Sequence, residues 1–323
     1  MGMIDFVSLR NASGMQVTLS NWGARVTSIL FPSKQGLQEM LMTYENPADF
    51  ARDRFYVGAT CGRVCNRISG GAFDLNGQSY LLPRNGDGNC LHGGIESFAH
   101  KYWQIDRRCM TDTHVRMRLY SQNGDQGFPG TLEVAVFYDL SEDNQLTITY
   151  EATTDLATPV NLTNHAYFNL GEPDCRNLKV AINSGYYLEV DETGIPSGEL
   201  LSVEGGMFDF RNAREITFMD PSLNRKTDKC FDHCFVLESN AKPSATLFSE
   251  QSGVTLTLFT DQPSLQLYTG HFLCNEFTAF QGICLEAQNY IDAINHQHFP
   301  DSVVEPSKRY RRFITYDFQQ THS

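Results

Sequence analysis

No stretch of this sequence approaches the about 18 uninterrupted apolar residues that a membrane-spanning helix needs, so no membrane contact is expected. Basic residues are in short supply: 25 lysines and arginines stand against 38 acidic residues, a net charge of −13. Such a surface repels phosphate backbones, so nucleic acid is not an expected partner, whereas a neutral ligand is compatible with it. Helical periodicity is scarce, and no glycine-rich loop runs into a helix, so a nucleotide-binding fold is not expected. No internal repeat is visible, and no Ser/Gly/Pro-rich linker separates the halves. Met1 to Phe6 lacks the basic start and apolar run of a secretion signal. The expected location is the cytoplasm.

Cysteine is not lacking. The nine thiols, at 61, 65, 90, 109, 175, 230, 234, 274 and 284, form an odd and scattered set, unlike a disulfide framework. Cys61/Cys65 and Cys230/Cys234 fall within the loose limits of zinc-ligand spacing, but the residues around them carry other patterns. Reduced thiols are the simpler account, and no metal is expected.

Strict alternation dominates the rest. Val115, Met117 and Leu119 take every second position, as do Leu132 to Leu140, Leu146 to Tyr150, Val254 to Leu258, and Ile314 to Phe318. Period two with Thr, Val, Tyr and Phe means half-buried strands. Asn76-Gly77 between Ala72–Leu75 and Gln78–Leu82 is a hairpin signal. Short helical turns are expected at Pro47–Arg52 and Ser97–Tyr102. The 323 residues therefore read as a single all-β domain over 1–323, a large antiparallel β-sandwich.

Five places break the alternation. Gly62-Arg63-Val64-Cys65-Asn66-Arg67-Ile68 presents amide and guanidinium donors to hydroxyl oxygens; its bland reading is an Arg67 salt bridge. Asn89-Cys90-Leu91-His92-Gly93-Gly94 sets a histidine before glycines that let backbone approach a ligand. Asn161 to Leu170 surrounds His165 with asparagines and aromatics that can fix its tautomer. Phe231-Asp232-His233 offers an acceptor for sugar hydroxyls, or a turn residue. Gly282 to Tyr290 holds Glu286 between Leu285 and Ala287, facing away from both; partial burial would raise its pKa toward neutral. The basic run Lys308-Arg309-Tyr310-Arg311-Arg312 reads as a solvated strand edge, and Tyr186-Tyr187 and Phe208 to Phe210 as core.

Together these segments resemble the aldose 1-epimerase (galactose mutarotase) family. The ordered set is Gly62-Arg63 with Asn66-Arg67-Ile68; Leu91-His92-Gly93-Gly94; Asn164-His165 with Tyr167-Phe168-Asn169-Leu170; Ile195 to Glu199 then Phe208 to Arg211; Asp232-His233; Gln266 with Tyr268-Thr269-Gly270; and Leu285-Glu286-Ala287-Gln288. With Asn21 to Ala24 near the start, the resemblance spans nearly the whole chain. The pattern departs from the family at Ala99, Phe231, Cys234, His271 and Ile291, none of them a proposed catalytic group. The resemblance implies a large antiparallel sandwich, no cofactor, and exchange between the anomers of free aldoses such as galactose and glucose. It implies Glu286 as catalytic base and His165 as catalytic acid. Arg67, His92, Asp232, Asn66 and Gln266 are implied as substrate-binding residues. The expected partner is a small aldose, with the protein a monomer or homodimer.

The chemistry fits those residues independently of the name. Anomer exchange removes a proton from the C1 hydroxyl and delivers one to the ring oxygen; a Glu and a His supply that base and acid. Activity is expected to fall below about pH 5 as Glu286 protonates. Three rivals are weighed: a glycoside hydrolase using Asp232 and Glu286, a non-catalytic sugar-binding sandwich, and a sugar-phosphate mutarotase, which needs a basic cluster in its pocket.

Overall fold

The alternating runs fold as strands because their branched and aromatic residues can face one buried layer at every second position. The structure, a computed structural model, describes residues 3–216, 230–238 and 243–321. Its backbone is a nine-stranded sheet ordered Gln104–Ile105, His114–Ser121, Leu132–Leu140, Gln145–Thr154, Tyr310–Gln320, Val254–Thr260, Ala245–Phe248, Lys179–Ile182, Arg214–Glu215. A six-stranded sheet runs Tyr167–Phe168, Ile283–Gln288, Ser264–Tyr268, Asp232–Val236, Tyr186–Val190, Pro196–Ser202. Phe6–Arg10, Gln16–Ser20, Arg25–Ser33 and Gly36–Glu39 make a four-stranded meander. The pairings within these sheets are antiparallel. The protein is an all-β antiparallel sandwich.

One apolar cluster joins the layers. Ile148, Leu256, Leu258, Ile314 and Phe318 of the large sheet share it with Leu265, Leu267, Ile283, Leu285 and Ala287 of the six-stranded one. Each leucine, isoleucine or phenylalanine among them taken from water contributes about 1.5–3 kcal/mol. The even-numbered neighbours Cys284, Glu286, Gln266, Tyr268 and Asp232 point the other way, because successive residues of a strand alternate faces. That second face is where a polar site can form, roofed by loops.

Local expectations meet the structure in detail. The hairpin forms as Ala72–Leu75 against Gln78–Leu81, with Asn76 and Gly77 both at positive φ (52° and 77°), as a type I′ turn requires. The two expected helical turns are 3-10 turns at Pro47–Arg52 and Phe98–His100, the first capped by the Asn46 side chain. The basic run sits at the start of Tyr310–Gln320, where Tyr310, Arg311 and Arg312 pair with Gln145–Thr154 on one side only; Val254–Thr260 joins the other side from Ile314 onward. Arg309 and Arg311 both reach toward Glu151, and Arg312 toward Asp261. Tyr186 is not core, being 52% exposed, whereas Phe210 is buried.

Candidate active site

Glu286 sits in the middle of a strand hydrogen-bonded on both sides. Ser264–Tyr268 pairs Gln266 opposite it, and Tyr167–Phe168 joins the other edge by pairing Tyr167 with Cys284. This register brings His165, two residues before Tyr167, over the same face: His165 Nε2 lies 3.7 Å from Glu286 Oε1. Backbone bonds fix the histidine, because Gly58 N–H donates to the His165 carbonyl and His165 N–H donates to the Ala59 carbonyl. Its Nδ1 lies 3.4 Å from Cys284 Sγ.

These residues line a cavity of about 170 Å³ together with Arg54, Phe55, Tyr56, Asn66, Arg67, Leu91, His92, Tyr167, Asp232, Tyr268 and Phe272. A larger hollow, about 660 Å³, lies on the outer face of the nine-stranded sheet around Arg118 and Ala135 and is lined by none of the seven expected site residues. Chemistry, not size, locates the site.

Six of the seven expected residues meet in this cavity: Glu286, His165, Arg67, His92, Asp232 and Asn66. Gln266 is not among the lining residues. It is buried, and its Nε2 donates to Asp232 Oδ1 at 2.6 Å, so it holds the aspartate from behind. Arg67 bridges to Asp232 at 3.5 Å and donates to Asn66 Oδ1 at 3.2 Å, so the salt-bridge and ligand readings of this arginine describe the same group. Asp232 opens a strand opposite Tyr268 and is not a turn residue. The glycines after His92 serve a different end from the one expected. A Cβ on Gly93 would come within 2.0 Å of the Gly62 carbonyl, so this glycine admits another loop of the protein, not a ligand.

His92, Glu286 and His165 offer donor atoms all within 4.8 Å of one another, a spacing at which a cation could be held. The tautomer of His92 argues against a fit. Its Nδ1 accepts the Asn66 N–H at 3.2 Å, so neutral His92 carries its hydrogen on Nε2 and has no free lone pair to give.

Burial sets the protonation. It raises the Glu286 carboxyl well above the usual range, the Asp232 charge adds to that, and Arg67 opposes it. Burial also pushes His165 down to about 4 and His92 well below its ordinary value. Burial thus disfavours the charged form of both partners, raising the carboxyl and lowering the imidazole. Glu286 Oε2 is buried and has no hydrogen-bond partner among the described residues, an unfilled valence inside the site.

The sequence did not single out Tyr56, Arg54, Phe55 or Phe272. Tyr56 has φ of 58°, and the cavity residues Asn66 and His92 are also left-handed, at 57° and 49°. Such conformations cost of order 1–3 kcal/mol each for non-glycine residues and collect at functional sites. The available signal was the aromatic pair before Gly58 in a stretch with no alternation.

A sequence model of the family described as Aldose 1-epimerase matches residues 5–317. An aldose 1-epimerase of Escherichia coli K12 is 38% identical over 329 aligned positions, covering 97% of this chain and 94% of that protein. A human galactose mutarotase is 34% identical, covering 94% and 91%. Among solved structures, an aldose epimerase homologue from C. elegans superposes with a TM-score of 0.92 at 29% identity, covering 99% of this chain and 100% of that one. A galactose 1-epimerase from Lactobacillus acidophilus gives 0.87 at 28% identity, covering 99% of each.

Proposed function

The chain belongs to the aldose 1-epimerase family of isomerases, and from that premise we propose that it interconverts the α and β anomers of free aldohexoses such as galactose and glucose. Glu286 is the base at the C1 hydroxyl and His165 the acid at the ring oxygen. The observation that carries this reading is the facing pair, His165 Nε2 and Glu286 Oε1 at 3.7 Å on the floor of a cavity rimmed by hydroxyl-binding groups.

The steps balance within that pair. Glu286 takes the proton of the C1 hydroxyl, the C1–O1 bond gains double-bond character, and the C1–O5 bond breaks as His165 protonates O5. Rotation about C1–C2 turns the other face of the aldehyde toward O5. Closure returns the O5 proton to His165 and the Glu286 proton to O1. Positioned proton transfer of this kind contributes about 10²–10⁴-fold. With the open-chain sugar bound, the pair is neutral, the same protonation that burial favours in the free protein. With the ring closed it is an ion pair, and hydrogen bonds from sugar hydroxyls together with the nearby Arg67 favour the carboxylate then. Arg67, His92, Asp232 and Asn66 hold the hydroxyls; Gln266 acts through Asp232.

This protonation moves the acid limit expected from sequence. Burial raises the Glu286 carboxyl, so its titration lies above the ordinary carboxylate range on which that limit was set. The pair fails as an acid–base couple when His165 takes a second proton, near pH 4, or when Glu286 loses its proton above its raised value.

The reading includes one domain over 1–323, a sugar as the partner with neither nucleic acid nor membrane, and a cytoplasmic monomer or homodimer. Sedimentation distinguishes the last two. No helix among the described residues is long and apolar enough to cross a membrane. The direct test is polarimetry on freshly dissolved α-D-galactose and α-D-glucose with wild type and Glu286→Gln. Faster mutarotation with wild type, lost in the variant, supports the reading; spontaneous rates unchanged by wild type sink it.

A further inference from the structure

Tyr56 is the residue of the site that local physics least explains. A tyrosine at φ 58° sits where asparagine or glycine is at home, yet no turn there demands the bulk. What the ring touches is informative. Its centroid lies 4.5 Å from that of His92 and 5.9 Å from that of His165, nearly parallel to the latter at 30°, and 5.5 Å from that of His100. His92 and His165 meet each other edge to face at 5.2 Å. The tyrosine is thus the common wall of both site imidazoles.

The strained backbone is held from below. Asp53 accepts the Phe55 N–H at 3.0 Å and the Val57 N–H at 2.9 Å, so its carboxylate brackets Tyr56 on both sides. Arg25 binds Asp53 at 2.5 Å and the Val57 carbonyl at 2.8 Å. Tyr56 itself gives its carbonyl to Ala59 N–H at 2.9 Å, and Ala59 in turn accepts the His165 N–H. Gly58 allows the close crossing, since a Cβ there would lie 1.9 Å from the Val26 carbonyl. A single loop therefore carries both the ring of Tyr56 and the backbone seat of His165.

We propose that Tyr56 is a positioning residue of this site: the Arg25–Asp53 network forces its ring against His92 and His165, fixing the imidazole planes and keeping water from the His165 face. The proposal rests on anomer exchange for its kinetic readout only. His165 is faced by Tyr56 and His92 from the loops, by Glu286 and Cys284 from their strand, and by Tyr167 and Tyr268 from the neighbouring strands. Asp53, Asp232 and Arg25 act on it as more distant charges. Tyr56 can be removed with relief of backbone strain, which separates its role in the site from a role in folding.

The experiment compares wild type, Tyr56→Asn and Tyr56→Phe. Asparagine accepts the left-handed conformation, so the thermal midpoint of Tyr56→Asn stays level or rises. Its kcat falls about ten-fold with KM changed less. The His165 ring, followed by NMR through its Cε1 proton without any sugar, titrates at least one pH unit higher as water reaches it, and the acid limb of the kcat profile moves up with it. Tyr56→Phe, which keeps the ring, restores both. A His165 titration unchanged in Tyr56→Asn, or Tyr56→Phe as impaired as Tyr56→Asn, overturns the proposal. If wild type does not accelerate mutarotation, the functional reading fails, while the sugar-free titration still decides the role of Tyr56.

Discussion

Two buried pairs of opposite acid–base type lie on either side of the 53–59 loop, and they are built to different standards. The side chains of Arg25 and Asp53 are fully buried, and each of their nitrogens and oxygens has a hydrogen-bond partner. The guanidinium donates to the Trp22, Val57 and Ala99 carbonyls as well as to Asp53, and the carboxylate also accepts from Tyr44 Oη and two backbone N–H groups. His165 and Glu286 are as buried but stand 3.7 Å apart with Glu286 Oε2 unpartnered among the described residues. A buried pair whose polar atoms are all partnered organises backbone; one with an unpartnered oxygen retains capacity for a ligand and a proton. The first pair holds the loop still, and the second is the proposed acid–base couple.

Breaking the open pair is expected to give the largest change. Glu286→Gln should lower kcat about 10²–10⁴-fold by polarimetry, with a thermal midpoint level or higher, because a neutral isostere replaces a carboxyl that burial disfavours. Breaking the closed pair should do the reverse. Arg25→Met leaves Asp53 buried without its cation and should cost about 3–5 kcal/mol in urea unfolding. A stable but inactive Arg25→Met, or an unfolded Glu286→Gln, would erase the contrast.

A finer test concerns a group one step behind the site. Gln266→Leu removes the 2.6 Å bond to Asp232. A hydrogen bond to a charged group is worth about 1.5–3 kcal/mol, so kcat/KM should fall roughly ten- to hundred-fold, carried by KM. A pure kcat loss would instead place Gln266 in the proton transfers. The smallest effect is a position on the pH axis. Wild-type kcat should hold from neutrality down toward His165's value of about 4, because the lowered imidazole stays unprotonated until then. A limb near pH 6.5 would mean that His165 is hydrated and not tuned by burial.

Much of this was legible in the chain. Alternation at Leu132 to Leu140 and Val254 to Leu258 gave strands because one face of each must be dry, and Asn76-Gly77 gave its turn because both residues tolerate positive φ. Glu286 was legible because a carboxylate between Leu285 and Ala287 must face the opposite layer. Gln266 was read as a ligand group because sequence cannot tell a residue that touches substrate from one that holds the residue that does. The Lys308 to Arg312 run was legible as an edge, but the strands that flank the rest of Tyr310–Gln320 were not, because strand order depends on pairings far apart in the chain, such as Ile148 with Ile314. Tyr56 stayed hidden because its role depends on contacts with His92 and His165, 36 and 109 positions on.

What the sequence determined by itself is therefore the all-β class, the strand faces and the kinds of acid, base and donor present, since local alternation and side-chain chemistry are properties of neighbours. Which groups meet, at what distance and in what protonation was decided only by the tertiary structure. Burial sets the pKa values of Glu286 and His165, and burial exists only once two distant strands and the 53–59 loop have closed over the same few ångströms.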